Sequence, residues 1–154
     1  MKTLPTASKI SQGKRNRING KGFENKVREN LEKDGWIVSK WQNNVVFTKS
    51  LDKMDKEFVY SGKLVPCKPK YNPFLKRVMM FSGGVPDFIA FKKEMLGRGC
   101  EVIGVESKSN GSLSPEEKEK FNWYLEQNIF SRILVAKRVK IKNKVSIVYT
   151  EHKI

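Results

Sequence analysis

Two short apolar runs, separated by a glycine-containing turn, constrain this chain more than any other feature. Residues 84–91 read GVPDFIAF and residues 101–108 read EVIGVESK. Each is rich in β-branched and aromatic residues and is bounded by turn formers, the pattern of a buried strand. Their polar residues stand at the ends: Asp87 where the first run begins, Glu106 and Lys108 where the second finishes. Pairing the two strands therefore brings two carboxylates and an amine to one rim of a sheet. Glu106 and Lys108 are two residues apart on one strand and project to the same face, with Ser107 pointing away. Such a group suits a hard divalent cation and a developing negative charge.

The rest of the chain frames this pair. From about residue 22 to 34 the spacing predicts a helix: Phe23, Val27 and Leu31 recur at i, i+4 and i+8, and Gly35 supplies a stop. Glu24 borders that apolar stripe, either as a rim residue reaching water or as part of a site. Residues 1–19 are polar and basic without periodicity and read as a flexible tail. Residues 36–48 read as one strand, or as two broken at Gln42-Asn43-Asn44. There Trp41 is read as core or sheet cover ahead of a base-stacking platform.

Residues 49–80 carry only short and interrupted elements. A short strand is expected at 57–60, a turn at Ser61-Gly62, and prolines 66, 69 and 73 discourage helix and central strand. Lysines interleaved there with Tyr71 and Phe74 suit either a surface that tracks a nucleic-acid backbone or an ordinary loop with aromatics tucked beneath it. After Lys108 comes a turn. Ser114-Pro115-Glu116-Glu117 then opens a second helix, with Ser at the N-cap and Glu at N3 closing a capping box. Phe121, Tyr124, Leu125 and Ile129 form its apolar stripe. Residues 131–136 and 145–149 are further strands. Helix, strands, helix and strand in that order give an α/β fold with a mixed central sheet.

Charge narrows the function. There are 31 Lys and Arg against 16 Asp and Glu, a net charge of +15, which implies a polyanionic partner, nucleic acid ahead of membrane. The basic residues cluster: residues 14–21, 63–77 and 137–144 contain no acid. Lys14, Arg15, Arg17, Lys21, Lys68, Lys70, Tyr71, Lys76, Arg77, Lys140 and Lys142 are the candidate nucleic-acid contacts. Lysines on the last hairpin also discourage sheet-edge aggregation. The single histidine, His152, leaves Ser/His/Asp, Cys/His and zinc chemistries without their usual partner. Cys67 and Cys100 form no ligand pattern and read as reduced thiols. No run is long enough to cross a membrane and the basic N-terminus has no apolar signal core, so an intracellular, non-membrane protein is expected.

Pro86-Asp87 followed by Glu106-Ser107-Lys108 resembles the motif of the PD-(D/E)xK nuclease superfamily. Within it the chain is similar to the small archaeal and phage members of the VRR-NUC and archaeal Holliday-junction-resolvase groups. The resemblance covers roughly residues 20 to 137 and implies a restriction-endonuclease-like αβββαβ core, with residues 49–80, which do not fit that core, as an insertion between its first and second strands. It implies that residues 20–154 form one Mg²⁺-dependent nuclease domain, Mn²⁺ substituting. Asp87, Glu106 and the Ser107 backbone carbonyl would hold the metal, Glu24 would complete the shell, and Lys108 would orient or activate water. The substrate implied is duplex or branched DNA, and resolving a junction would require a homodimer. Relatives carry a glutamine near the start of the second helix after a Leu-Ser pair. Here Leu113-Ser114 is present but Glu117 takes the glutamine's place, leaving Lys118 as the candidate fourth-motif residue, with Ser82 as a further phosphate donor. The alternative function is a nucleic-acid-binding protein with the same fold and no chemistry, or a basic structural protein whose carboxylates only make ion pairs.

Overall fold

The structure, a computed structural model, describes residues 7–51, 58–79, 84–94, 97, 99–142 and 144–154. Helix α1 spans Ala7–Lys33. Phe23, Val27 and Leu31 are buried along one stripe. The helix ends in a Schellman motif: Gly35, at φ +84°, donates to the Glu32 carbonyl, and Trp36 donates to the Leu31 carbonyl. Only a residue tolerant of positive φ closes a helix this way.

A five-stranded sheet follows, in the order β1 (Ile37–Lys40), β6 (Phe88–Lys93), β7 (Cys100–Ser107), β8 (Arg132–Ile141), β9 (Lys144–His152). β1, β6 and β7 are antiparallel neighbours, β7 and β8 are parallel, and β8 and β9 form an antiparallel hairpin. The parallel step is bridged by helix α2, Pro115–Glu126. Period-two alternation sends Phe88, Ala90, Ile103 and Val105 to one face, where they pack on Phe23, Val27 and Leu31 of α1. Ile133 and Val135 on the other face pack on Phe121 and Tyr124 of α2. The chain is thus mixed α/β, with a helix on each face of a mixed sheet. Among the described residues no helix is long and apolar enough to cross a membrane.

Between β1 and β6 lie two small sheets, the hairpin β2 (Asn43–Leu51) with β3 (Phe58–Pro66), and β4 (Lys70–Asn72) with β5 (Arg77–Met79). The β2–β3 hairpin lies over α2: Val45 is buried with Phe121 and Tyr124.

Several expectations need correction. The tail read over residues 1–19 is helical from Ala7 onward. Every side chain from Gln12 to Gly22 is exposed, so no apolar period marks that length. The chain leaves the central sheet directly after β1, since β2 from Asn43 pairs with β3 in a separate sheet. Ser61-Gly62 is no turn but the middle of β3. Gly62 is needed because a Cβ there would fall 2.3 Å from Nε1 of Trp123. Trp41 is core, as expected: its ring meets Phe130 edge-on at 5.2 Å and its indole N–H donates to the Tyr124 hydroxyl.

Candidate active site

The antiparallel register Phe88↔Val105 sets Asp87 across from Glu106. The two are bonded directly. The Asp87 amide donates to Glu106 Oε2 at 3.1 Å, and the Ser107 amide donates to Asp87 Oδ2 at 2.9 Å, joined there by the Ser107 hydroxyl. Lys108 follows the end of β7 and is held against β8 by its amide bond to the Ala136 carbonyl. Its Nζ lies 3.1 Å from Glu106 Oε1 and 2.6 Å from Glu117 Oε1.

Glu117 has two tasks. One oxygen accepts the Ser114 amide at 2.8 Å and so closes the capping box of α2; the other holds Lys108. The helix start is thereby coupled to the sheet rim. Asp87 is fixed from the opposite side, where its carbonyl accepts the Trp41 amide at 3.1 Å. Gly84 donates to the Trp41 carbonyl and Val85 to the Asn43 carbonyl. A Cβ on Gly84 would lie 1.9 Å from the Asn43 oxygen, so glycine is required where the chain approaches the candidate site.

The electrostatics are unbalanced. Burial, reinforced by the Asp87 charge, pushes the Glu106 carboxyl up to about 7 despite the nearby Lys108 ammonium. Burial alone would lower the Lys108 ammonium, but its bonds to Glu117 and Glu106 outweigh it and raise it. Burial would raise Glu117, yet Lys108 and the Ser114 backbone bring it down. A buried carboxylate beside a second one is unfavourably charged at neutral pH. One cation bound by both would offset that charge, and two adjacent carboxylates are the oxygen donors a hard divalent ion takes. Asp87 and Glu106 thus supply oxygen donors of the type magnesium takes. Among the described residues no group of three or more metal-ligating side chains comes together.

The remaining candidates fall elsewhere. Glu24 does not join the two carboxylates: it pairs with Lys40, whose ammonium lies 4.4 Å from the centre of the Phe88 ring on the α1 face. Lys118 lines a separate hollow of about 470 Å³ with Lys137 and His152. It is one position past Glu117, about 100° round the helix. Ser82 lies outside the described residues. Lys14, Arg15, Arg17, Lys21, Lys68, Lys76, Arg77, Lys140 and Lys142 are exposed, as is Tyr71; of Lys70 only the backbone is described. Glu117, passed over in the sequence because it stands where relatives carry glutamine, is the residue of α2 that reaches Lys108. No family model, curated protein or solved structure matches the chain.

Proposed function

We propose that the chain is a divalent-metal-dependent DNA endonuclease with a restriction-endonuclease-like core. The carrying observation is the contact of Asp87 with Glu106 and of Glu106 with Lys108 at one sheet rim. The order α1, β1, β6, β7, α2, β8 supports the αβββαβ reading, with β9 appended and the small hairpins inserted between its first two strands. The net charge of +15 supports a polyanionic substrate.

Asp87 and Glu106 would hold magnesium, with manganese substituting, and the ion would supply Lewis-acid polarisation of the scissile phosphate. This chain's own residues do the rest. Ser107 fixes one oxygen of Asp87 and so its direction. Lys108 presents an ammonium to the reacting phosphate, orients the attacking water and offsets charge as the phosphorane forms. Glu117 holds that ammonium in place before substrate arrives. Exposed lysines and arginines on α1 and on the β8–β9 hairpin carry the sequence-independent phosphate contacts. Paired cuts at a four-way junction would require a second copy of the chain.

The second reading, nucleic-acid binding without cleavage, draws on Glu24 and Lys108 both being engaged in ion pairs. The deciding experiment offers supercoiled plasmid and a synthetic four-way junction with Mg²⁺, Mn²⁺ or EDTA, beside Glu106→Gln. Metal-dependent nicking that the variant loses supports the nuclease. Binding with no cutting in either metal overturns it.

A further inference from the structure

The β4–β5 hairpin concentrates exposed apolar side chains at and beside its tip. At its tip Phe74 is 94% exposed and Leu75 53%, with Tyr71 and Val78 exposed at 61% and 62% as a direct cross-strand pair. Single exposed apolar residues are ordinary, but a cluster concentrated on one short hairpin marks a contact surface. The tip is also pre-shaped. The Asn72 side-chain oxygen accepts the amides of Phe74 and Leu75 at 3.0 and 3.1 Å, and Lys76 takes φ +47° to close the turn. Exposed Lys76 and Arg77 flank the apolar pair, and no acid occurs from residue 63 to 77.

Both ends of the excursion are tied beside the candidate site. The Cys67 amide donates to the Gln42 carbonyl and the Gly84 amide to the Trp41 carbonyl, while the Trp41 amide donates to the Asp87 carbonyl. Phe74 lies seven residues beyond Cys67, so the tip reaches at most about 25 Å from this neck. That is roughly seven nucleotide steps of 3.4 Å along a duplex strand.

We propose that this hairpin is a wedge that enters DNA at an opened or unpaired base step, Phe74 and Leu75 seating against bases while Lys76 and Arg77 hold the flanking phosphates. Apolar side chains of this kind unstack base steps, and aromatic rings stack on unpaired bases. A pre-formed tip binds without the ordering entropy that a floppy loop would lose. Positive charge around the apolar residues selects a polyanion with accessible ring faces, which a nucleic acid with a distorted step supplies. The wedge would give a preference for branched DNA, with cleavage confined to within about one helical turn of the branch. The inference rests on the nuclease reading only for DNA being the substrate.

The test uses a four-way junction and a matched duplex, each carrying 2-aminopurine at successive positions, in EDTA so that nothing is cut. Binding of the native protein should brighten the probe next to the branch. Phe74→Ala with Leu75→Ala should abolish the brightening and reduce junction affinity about ten-fold or more, leaving duplex affinity within about three-fold. Phe74→Trp should retain both. Since Phe74 is 94% exposed, the variants should melt like the native chain, and a melt verifies this. Brightening that survives the double alanine variant overturns the wedge. So does capture of the native protein, but not the variant, by phosphatidylserine vesicles with no brightening on DNA. Cutting in Mg²⁺ is scored in parallel. Brightening without cutting keeps the wedge and removes the nuclease; cutting without brightening does the reverse, and no DNA binding overturns both.

Discussion

Glu106→Gln should change stability in a way that depends on pH, and the size follows from the burial of this one side chain. Its carboxyl is raised from 4.5 to about 7 by burial first and the Asp87 charge second. At 1.36 kcal/mol per pKa unit, that shift corresponds to about 3 kcal/mol. The sign is destabilising at high pH. Below pH 4.5 the group is protonated in both folded and unfolded chains and its contribution is fully present. Between 4.5 and about 7 the unfolded chain releases the proton first, and above about 7 the whole contribution is lost. Glutamine does not titrate. It also has a single oxygen where Glu106 offers one to the Asp87 amide and the other to Lys108, so the variant carries a constant penalty of about 1–3 kcal/mol. The informative quantity is therefore the difference in unfolding free energy, variant minus native, against pH. It should rise by roughly 3 kcal/mol from pH 4.5 to pH 8. Denaturant melts of both proteins in EDTA at half-unit steps measure it. A difference that stays flat within about 0.5 kcal/mol, or falls with pH, would refute the claim that Glu106 is held in an unfavourably charged state.

Mg²⁺ at about a hundred times its dissociation constant should raise native stability at pH 8 by about 2.7 kcal/mol and leave Glu106→Gln unmoved; equal shifts in a thermal melt would place the ion elsewhere. Lys108→Ala should lower cleavage about 10²–10³-fold with DNA affinity nearly unchanged, whereas Glu24→Gln should lower it far less; single-turnover rates beside filter binding separate the two. Glu117→Gln keeps a capping-box residue but removes charge from Lys108, so the basic limb of the pH–rate profile should move to lower pH. Gly84→Ala should destabilise by roughly 1–3 kcal/mol, a fall of about 2–4 °C in Tm for each kcal/mol, because its Cβ meets the Asn43 oxygen at 1.9 Å.

What was legible in the sequence was what local periodicity and chemistry write directly. The two apolar runs gave β6 and β7, and their polar ends gave Asp87, Glu106 and Lys108, because strand alternation needs no distant information. Ser114-Pro115-Glu116-Glu117 named the start of α2 for the same reason. What was illegible depends on partners far along the chain. Gly62 looked like a turn residue, and only Trp123 lying against it explains a glycine inside a strand. From Gln12 to Gly22 α1 is exposed throughout, so no buried face advertises it there. Glu24 borders the apolar stripe as expected, yet its partner is set by Lys40 coming alongside on β1.

Glu117 shows why a complete local explanation hides a distant role. Its place in the capping box accounts for a glutamate at N3, and its standing where relatives carry glutamine set it aside in favour of Lys118. The structure adds Lys108, and with it the balance of charge at the rim changes. Asp87, Glu106 and Glu117 set three carboxyls against the single ammonium of Lys108. This negative spot lies in a chain whose net charge is +15. A basic protein has no need of a half-buried acidic pocket for solubility, and burying carboxylates together opposes folding unless something positive relieves them. Lys108 relieves one charge and is itself shared. The deficit that remains is centred on Asp87 and Glu106, which is where the proposed divalent cation would offset it.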